Sequence, residues 1–363
     1  MEFRHFFTLK KISFVVFFAV LATFSSVRAA VVNEVDSAVS ESHEGHAEEP
    51  FQPTEMIMEH ISDSHDWHLW GHTSVPLPVI LYTDKGFEVF LTSEFHHGEQ
   101  DYQGKHYTYR WVDKKRIRVV NGAGDVDEAA SARVWDFSIT KNVASMFLSV
   151  ILLVLIFSSV AGAYKKRVGK APKGFQSLIE PIIIFVRDDI ARPNIGHTYA
   201  RFMPLLLTTF FFIWFNNLLG LIPIFPGSAN VTGNIATTFA LALVVLVVVN
   251  INGNKYYWGH ILKPDVPWWL YPIMIPVELV GVISKPFALM IRLFANITAG
   301  HIVILSLVSL IFVFNSLATV ITPVSLAFVL FMNVMELLVA FLQAFIFTLL
   351  TALFIGMAVE EHH

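Results

Sequence analysis

Apolar and polar residues are distributed along this chain in two unlike ways. Up to about residue 140 they mix, with short alternating stretches; beyond it the apolar residues run together in long blocks broken by few charges. Blocks of that length predict membrane-spanning helices rather than the faces of soluble ones. The first predicted span is Val143 to Ala163, and "YKKRVGKAPK" follows it at once. Lys and Arg beside a membrane end mark the cytoplasmic side, so this helix runs from outside to inside. The next stretch, "FQSLIEPIIIFVRDDIARPNIG", is apolar but interrupted by Pro181 and by charge, which suits a helix lying in the cytoplasmic interface. From Phe202 through Asn254 there is no charged residue and no histidine, a length that fits two spans with "PGSANVTGN" as the outer turn. The chain returns to the cytoplasm at "NKYYWGHILKPDVPWW", with two lysines and interfacial tryptophans. A last hairpin follows, one helix from about Pro272 to Val313 and the other from about Thr322 to Val359, turning near "FNSLAT". Both exceed the ~20 residues of a perpendicular span, so they are expected to tilt or to project from the hydrocarbon. Pro272, Pro276 and Pro286 are placed to kink the first of them.

The N-terminal part reads differently. "MEFRHFFTLKK" supplies positive charge, "ISFVVFFAVLATF" is a short apolar run and "SSVRAA" offers small residues, which together predict a secretory signal peptide over residues 1–29, cut after Ala29. A short first membrane helix is the other reading of that run. Residues 30–140 are expected outside the cytoplasm: an acidic, His-rich arm, then a small β-rich domain. "LPVILYTDKGFEVFLTSEF" reads as two strands around an Asp-Lys-Gly turn, and "KHYTYRWV" and "KRIRVV" as further strands. Residues 141–363 form the membrane-embedded part. The expected fold is therefore an all-α polytopic membrane protein of about five embedded helices plus an interfacial one, with a β-rich N-terminal extramembrane domain.

Composition narrows the functional classes. Hydrophobic residues make up 55% and charged residues only 15%, against about 25% charged in soluble domains. A net charge of −4, with no basic cluster interleaved with aromatics, gives no footing for nucleic acid. The chain has no cysteine, which excludes disulfides, thiol catalysis and cysteine metal sites. The embedded part carries no nucleotide loop, zinc signature or Ser/His/Asp arrangement.

Between Pro286 and Val359 only Arg292, His301 and Glu336 can carry charge. A central arginine costs roughly 2.5–3.5 kcal/mol to insert, so it is a functional candidate by default. Singly, each residue also has an ordinary reading: a snorkelling arginine, a hydrogen-bonded core histidine, a neutral glutamic acid. Jointly they are more specific. If the hairpin turns near Ser316 to Thr319, His301 stands opposite Glu336 and Arg292 opposite Gln343, with Asn296 one turn beyond the arginine. On the second helix Asn333, Glu336 and Gln343 share a face. A separation of nine residues puts Arg292 and His301 on opposite sides of their helix. Glu278 lies toward the cytoplasmic end of the same helix, so acid, cation and imidazole follow one another across the membrane. That order describes a proton path interrupted by a fixed positive charge.

At these residues the chain resembles subunit a of the rotary F-type ATP synthases. "KPFALMIRLFANITAGH", "FNNLLGLIP", "SANVTGN", "LQAFIFTLLT" and "FVRDDIARPNIGH" match family patterns in order, from about Phe175 to the C-terminus. The resemblance implies that Arg292 is the essential coupling arginine, Asn296 and Gln343 its polar companions, and Glu278 the acid of the cytoplasmic exit. His301 and Glu336 match positions that carry the reverse pair, Glu and His, in some bacterial members. It further implies a stator subunit with two offset proton half-channels reaching a ring of c subunits. The implied partners are that ring, b-type stator subunits, the other synthase subunits and the lipid of a bacterial inner membrane, the C-terminus facing the cytoplasm. No cofactor, metal or catalytic site of its own is implied. The exported segment has no counterpart in the minimal family pattern.

Two other classes compete. A secondary transporter would enclose a midplane site within two hairpins of broken helices. A membrane-anchored metal sensor would use "HDWHLWGH", where His65, His68 and His72 are spaced along one face if helical, with "HEGH" upstream.

Overall fold

The computed structural model describes residues 53–70, 73–98, 100–112, 116–166, 171–222, 227, 229–264, 266–314 and 318–360. The expected signal peptide, the acidic arm with its "HEGH" motif, His72, and residues 315–317 at the tip of the last hairpin lie outside the described residues.

A short helix, α1 (Pro53–Ile61), comes first and packs against the long helix that carries Arg292. Eight strands follow: β1 (Asp66–Trp70), β2 (Thr73–Pro76), β3 (Pro78–Thr83), β4 (Gly86–Leu91), β5 (Tyr102–Gln103), β6 (Thr108–Val112), β7 (Arg116–Val120) and β8 (Trp135–Asp136), with a four-residue α2 (Glu128–Ser131) before the last. All pairing is antiparallel, in the orders β1–β2, β4–β3–β8 and β5–β6–β7. The expected Asp-Lys-Gly turn joins β3 to β4, with Thr83 opposite Gly86. Alternation along the strands sends Val79, Leu81 and Phe90 inward against Phe95, Tyr109, Trp111 and Val119. Glu88 is also inward, but its carboxylate accepts hydrogen bonds from the Lys105 and His106 backbone N–H groups and the Tyr109 hydroxyl, so its burial is compensated.

The helical metal face does not form. His65 lies in the turn before β1 and His68 on β1 itself, where a spacing of three no longer returns to one face. Tryptophans 67 and 70 favour the strand, which β2 completes. The buried His65 turns its Nε2 to Asp136 Oδ2 at 2.9 Å. Burial works to raise the Asp136 carboxyl, but the hydrogen bond and charge of His65, with help from Ser138, hold it below its ordinary value.

The polar part is fastened to the first span, α3 (Lys141–Lys166). Lys141 donates its backbone N–H to the Ser64 carbonyl, while Asp63 accepts from the Asn142 backbone and the Thr140 hydroxyl. Asp63 thus caps the helix from a distant part of the sequence.

The membrane part continues with α4 (Phe175–Phe185), a π-helical turn (Val186–Ala191), α5 (Arg192–Ile195) and α6 (Tyr199–Leu221). Pro181, expected as a break, sits inside α4; the helix departs from α geometry only at Val186, and the chain turns at Gly196, whose φ of 71° suits glycine. The rest is α7 (Ile235–Asn252), the surface helix α8 (Lys255–Leu262), α9 (Tyr271–Val313) and α10 (Ala318–Val359). Asn234 and Asn254 cap α7 and α8 through their side-chain oxygens. Among the described residues five stretches are long and apolar enough to cross a membrane: Lys141–Lys166, Phe175–Leu221, Ile235–Asn252, Trp268–Val313 and Val320–Val359. Pro276 and Pro286 both lie within the 43-residue α9. The core is aromatic, with Phe210, Phe211, Phe212 and Phe347 fully buried where α6 meets α10. The fold is thus all-α and polytopic, with the small β-rich segment at its N-terminal side.

Candidate functional site

Helices α9 and α10 lie antiparallel, and three contacts fix their register. Asn296 Nδ2 donates to Gln343 Oε1 at 2.9 Å. His301 Nδ1 lies 2.7 Å from Glu336 Oε1. Further along, the Ser325 hydroxyl donates to the Leu307 carbonyl. The expected level of His301 and Glu336 is therefore found, but Gln343 meets Asn296, not Arg292. At that register Gln343 lies level with the stretch between Arg292 and Asn296, and rotation about the helix axis decides the partner: the Asn296 amide reaches α10 while Arg292 is turned outward.

Arg292 itself is exposed and makes no hydrogen bond or ion pair among the described residues, so the expected amide partners are not bound to it. It projects from the outer face of the hairpin, among exposed Ala288, Ala295 and Ala299. Leu289, Met290, Leu293 and Ile297 are buried on a face roughly 100° around the helix from Arg292, which fixes the rotation of α9. These small neighbours leave room for another helix to approach the guanidinium closely. Glu278, half-buried and likewise unpaired among the described residues, lies about 21 Å from Arg292 along α9 and on nearly the same face.

His301 and Glu336 turn inward. Glu336 is only 5% exposed, and its 2.7 Å approach to Nδ1 satisfies an ion-pair distance without the alignment of a hydrogen bond. With the proton on Nδ1, that N–H points to the Ile297 carbonyl at 3.1 Å, leaving both carboxylate oxygens without a hydrogen-bond partner. A small swing of the imidazole would trade one acceptor for the other. Two glycines make the pocket. A Cβ on Gly300 would lie 2.8 Å from Glu336 Oε1, and one on Gly220 of α6 would lie 3.8 Å from His301 Nε2.

Residues 229–232, part of the segment expected as a simple outer turn between α6 and α7, are folded into the protein. Ala229, Asn230, Val231 and Thr232 are all buried. The Thr232 hydroxyl donates to Asn217 Oδ1 at 2.6 Å, and Asn217 Nδ2 donates to the Ala340 carbonyl on α10. Ala340 lies one turn beyond Glu336, so the loop reaches the depth of the His301–Glu336 pair. Irregular backbone at such depth persists only when wrapped in protein or lining water. Asn230 Nδ2 and Asn216 Oδ1 are buried here without partners, as Glu336 is, which suits polar groups served by water. Sequence reading missed this loop; its signal was Asn216-Asn217 within a span otherwise free of strong polarity.

Comparison with known proteins bears on the whole embedded region. The family model described as ATP synthase A chain matches residues 143–356, more than half of the chain. A separate model, of a domain of unknown function, matches residues 56–137. The ATP synthase subunit a of Chloroherpeton thalassium is 50% identical over 237 residues, 63% of this chain and 69% of its own. Subunit a 2 of Chlorobaculum tepidum is 47% identical over 230 residues, 62% and 64% of the two chains. Subunit a of Myxococcus xanthus is 43% identical over 235 residues, 63% and 75%.

Proposed function

The chain belongs to the ATP synthase A chain family, a multi-pass membrane component of the proton-translocating synthase, and from that premise we propose that Arg292 is its coupling charge. The observation that carries this reading is the contrast between the two ends of the polar constellation. Arg292 faces outward and unpaired, whereas His301 and Glu336 face inward beside a buried polar loop. An arginine in that position can attract a carboxylate carried past it on a rotating ring of c subunits. Because a guanidinium holds its proton in all ordinary conditions, it relays none. It thus separates two half-channels while favouring the ionised state of each ring carboxylate as it passes.

In this account the outer half-channel runs through the Asn230, Thr232 and Asn217 loop to His301 and Glu336. The imidazole exchanges protons between the inlet and Glu336, and the Asn296–Gln343 pair fixes the wall between that route and Arg292. Glu278 serves the inner half-channel, toward the cytoplasm. One charge crossing the membrane is worth about 2.3 kcal/mol per 100 mV, so the energy for ATP synthesis accumulates over several protons. The partners are the c ring, b-type stator subunits and the remaining synthase subunits, in a bacterial inner membrane. The segment of residues 30–140 would then lie outside the cytoplasm, after removal of residues 1–29, and the C-terminus would lie inside. The chain supplies no catalytic site of its own. A transporter would instead close its charge inside a pocket of its own helices, and an outward Arg292 argues against that.

The test is a disulfide between Ala295→Cys and a cysteine placed next to the ring carboxylate on subunit c. A crosslink that stops rotation is expected. No crosslink along this face, with the complex intact, would remove the proposed site from the ring.

A further inference from the structure

In the segment from Pro53 to Thr140 the two three-stranded sheets have outer faces that differ in kind. On β5–β6–β7, Arg110 stands opposite Arg118, and each arginine is matched by an acid, Asp101 at 2.7 Å and Glu128 at 3.4 Å. That is an ordinary water-facing surface. On β4–β3–β8 the outward positions form a grid of three rows. Phe87 pairs with Tyr82, Val89 with Ile80 and Leu91 with Pro78 across β4 and β3. Tyr82 pairs with Trp135 on the other side. Backbone hydrogen bonds from Phe137 to Ile80 and from Ile139 to Pro78 carry the pairing past β8. All nine positions are apolar or aromatic, and Phe87 and Val89 are 65% and 67% exposed. The inner face carries the buried Val79, Leu81 and Phe90, with the hydrogen-bonded Glu88 among them. An antiparallel sheet with one side in water normally alternates apolar and polar residues; this one does not.

We infer that the grid rests on the lipid surface around the end of α3. The chain that carries Trp135 on β8 and then Phe137 and Ile139 runs into α3 at Lys141 without a turn, and Asp63 and Ser64 clamp that junction. Ile139 lies two residues from the helix, about 7 Å of extended chain. The apolar face therefore begins within two residues of α3, a span whose exposed residues include Ile151 and Leu155. Its row farthest along the strand from α3 holds Trp135 and Tyr82, residues with an apolar body and a polar tip that favour the headgroup level. The grid measures about 10 Å across the strands and 13 Å along them between Cα positions, and it is contiguous and apolar in every row. Charges on the opposite sheet make the segment amphipathic as a whole, with a wet side and a dry side. The inference rests on α3 spanning the membrane and not on the roles proposed for Arg292, His301 or Glu336.

The chain has no cysteine, so single nitroxide labels are specific. Phe87→Cys, Val89→Cys and Leu91→Cys are labelled in the full chain within the assembled synthase, reconstituted in phosphatidylglycerol and phosphatidylethanolamine vesicles. Collision of each label with oxygen and with a water-soluble nickel chelate is then measured. Ile151→Cys gives the lipid reference, and Gly122→Cys, where a side chain meets open space, gives the water reference. All three grid labels are expected to respond to oxygen more than to nickel, as at position 151. Nickel access equal to that at position 122 would overturn the inference, because the face would be in water. Shielding from both reagents would overturn it as well, because the face would be covered by protein. The three positions report independently, so one variant that fails to assemble leaves the test intact.

Discussion

Adding one methyl group at Gly300 is a sensitive probe of the buried carboxylate. An ideal Cβ there lies 2.8 Å from Glu336 Oε1 and 3.1 Å from its Cδ. The carboxyl group must retreat by roughly half an ångström to reach ordinary contact, and at 5% exposure it has no open solvent to move into. Two terms oppose each other in stability. Alanine is favoured over glycine inside a helix by about 0.8–1 kcal/mol, while overpacking costs about 1–3 kcal/mol. The net loss should stay below about 2 kcal/mol, too little to prevent insertion. Transport should suffer more, since a misplacement of about 1 Å can cost a reacting group 10²-fold. Proton pumping by Gly300→Ala is expected to fall about tenfold. The control is Gly162→Ala in α3, the same change inside a helix with no atom within 4 Å of the new methyl, which should pump normally. ATP-driven acidification of inverted vesicles, at matched protein levels, reads both. Equal pumping by the two variants would refute the claim that Glu336 must sit where the structure puts it.

The His301–Glu336 contact should show non-additivity: either single change, His301→Glu or Glu336→His, should lose most pumping, and the double exchange should recover much of it. Losses that simply multiply would mean the residues act independently. Removing the remote cap with Asp63→Ala should cost about 1–2 kcal/mol at the junction with α3, read as faster proteolysis near residue 140; unchanged cleavage would contradict it. The Asp136 carboxyl, held below its ordinary 3.8 in the folded protein, stabilises above that pH, and its contribution is lost as the pH falls through the lower folded value. With 38% of the side chain exposed, solvent screening limits this to about 1 kcal/mol or less. The melting difference between the parent and Asp136→Asn, followed by fluorescence of buried Trp67 and Trp111, should therefore shrink below pH 3.8.

Apolar block length is a direct physical requirement of the bilayer, which is why the spans were legible residue by residue. The observed α9, Tyr271–Val313, and α10, Ala318–Val359, match the expected hairpin closely. The strands around Asp84 and Lys85 were legible because a two-residue turn between alternating runs leaves few alternatives. The level of His301 against Glu336 followed from hairpin arithmetic, but Gln343 was assigned to Arg292 when it meets Asn296. Arithmetic of levels says nothing of rotation about the helix axis, and Asn296, one turn from Arg292, is the residue whose amide reaches α10. The loop at Ala229–Thr232 was illegible for another reason. Glycine, serine and asparagine signal a turn equally whether it faces water or folds inward, and only the tertiary partners Asn217 and Ala340 decide between them. The histidine spacing around β1 left the competing metal reading open because a short window fits helix and strand alike.

Replacement of Arg292 tests the central claim most directly. Arg292→Ala should leave the subunit inserted and the complex assembled, since the side chain has no partner among the described residues to lose. Proton pumping coupled to ATP hydrolysis should nevertheless vanish. Arg292→Lys should restore little, because a lysine is a compact charge that can give up its proton. Vesicles carrying the assembled Arg292→Ala complex are to be energised with ATP and their acidification followed. Complete absence of acidification is the expected result; a normal pH gradient would contradict the account.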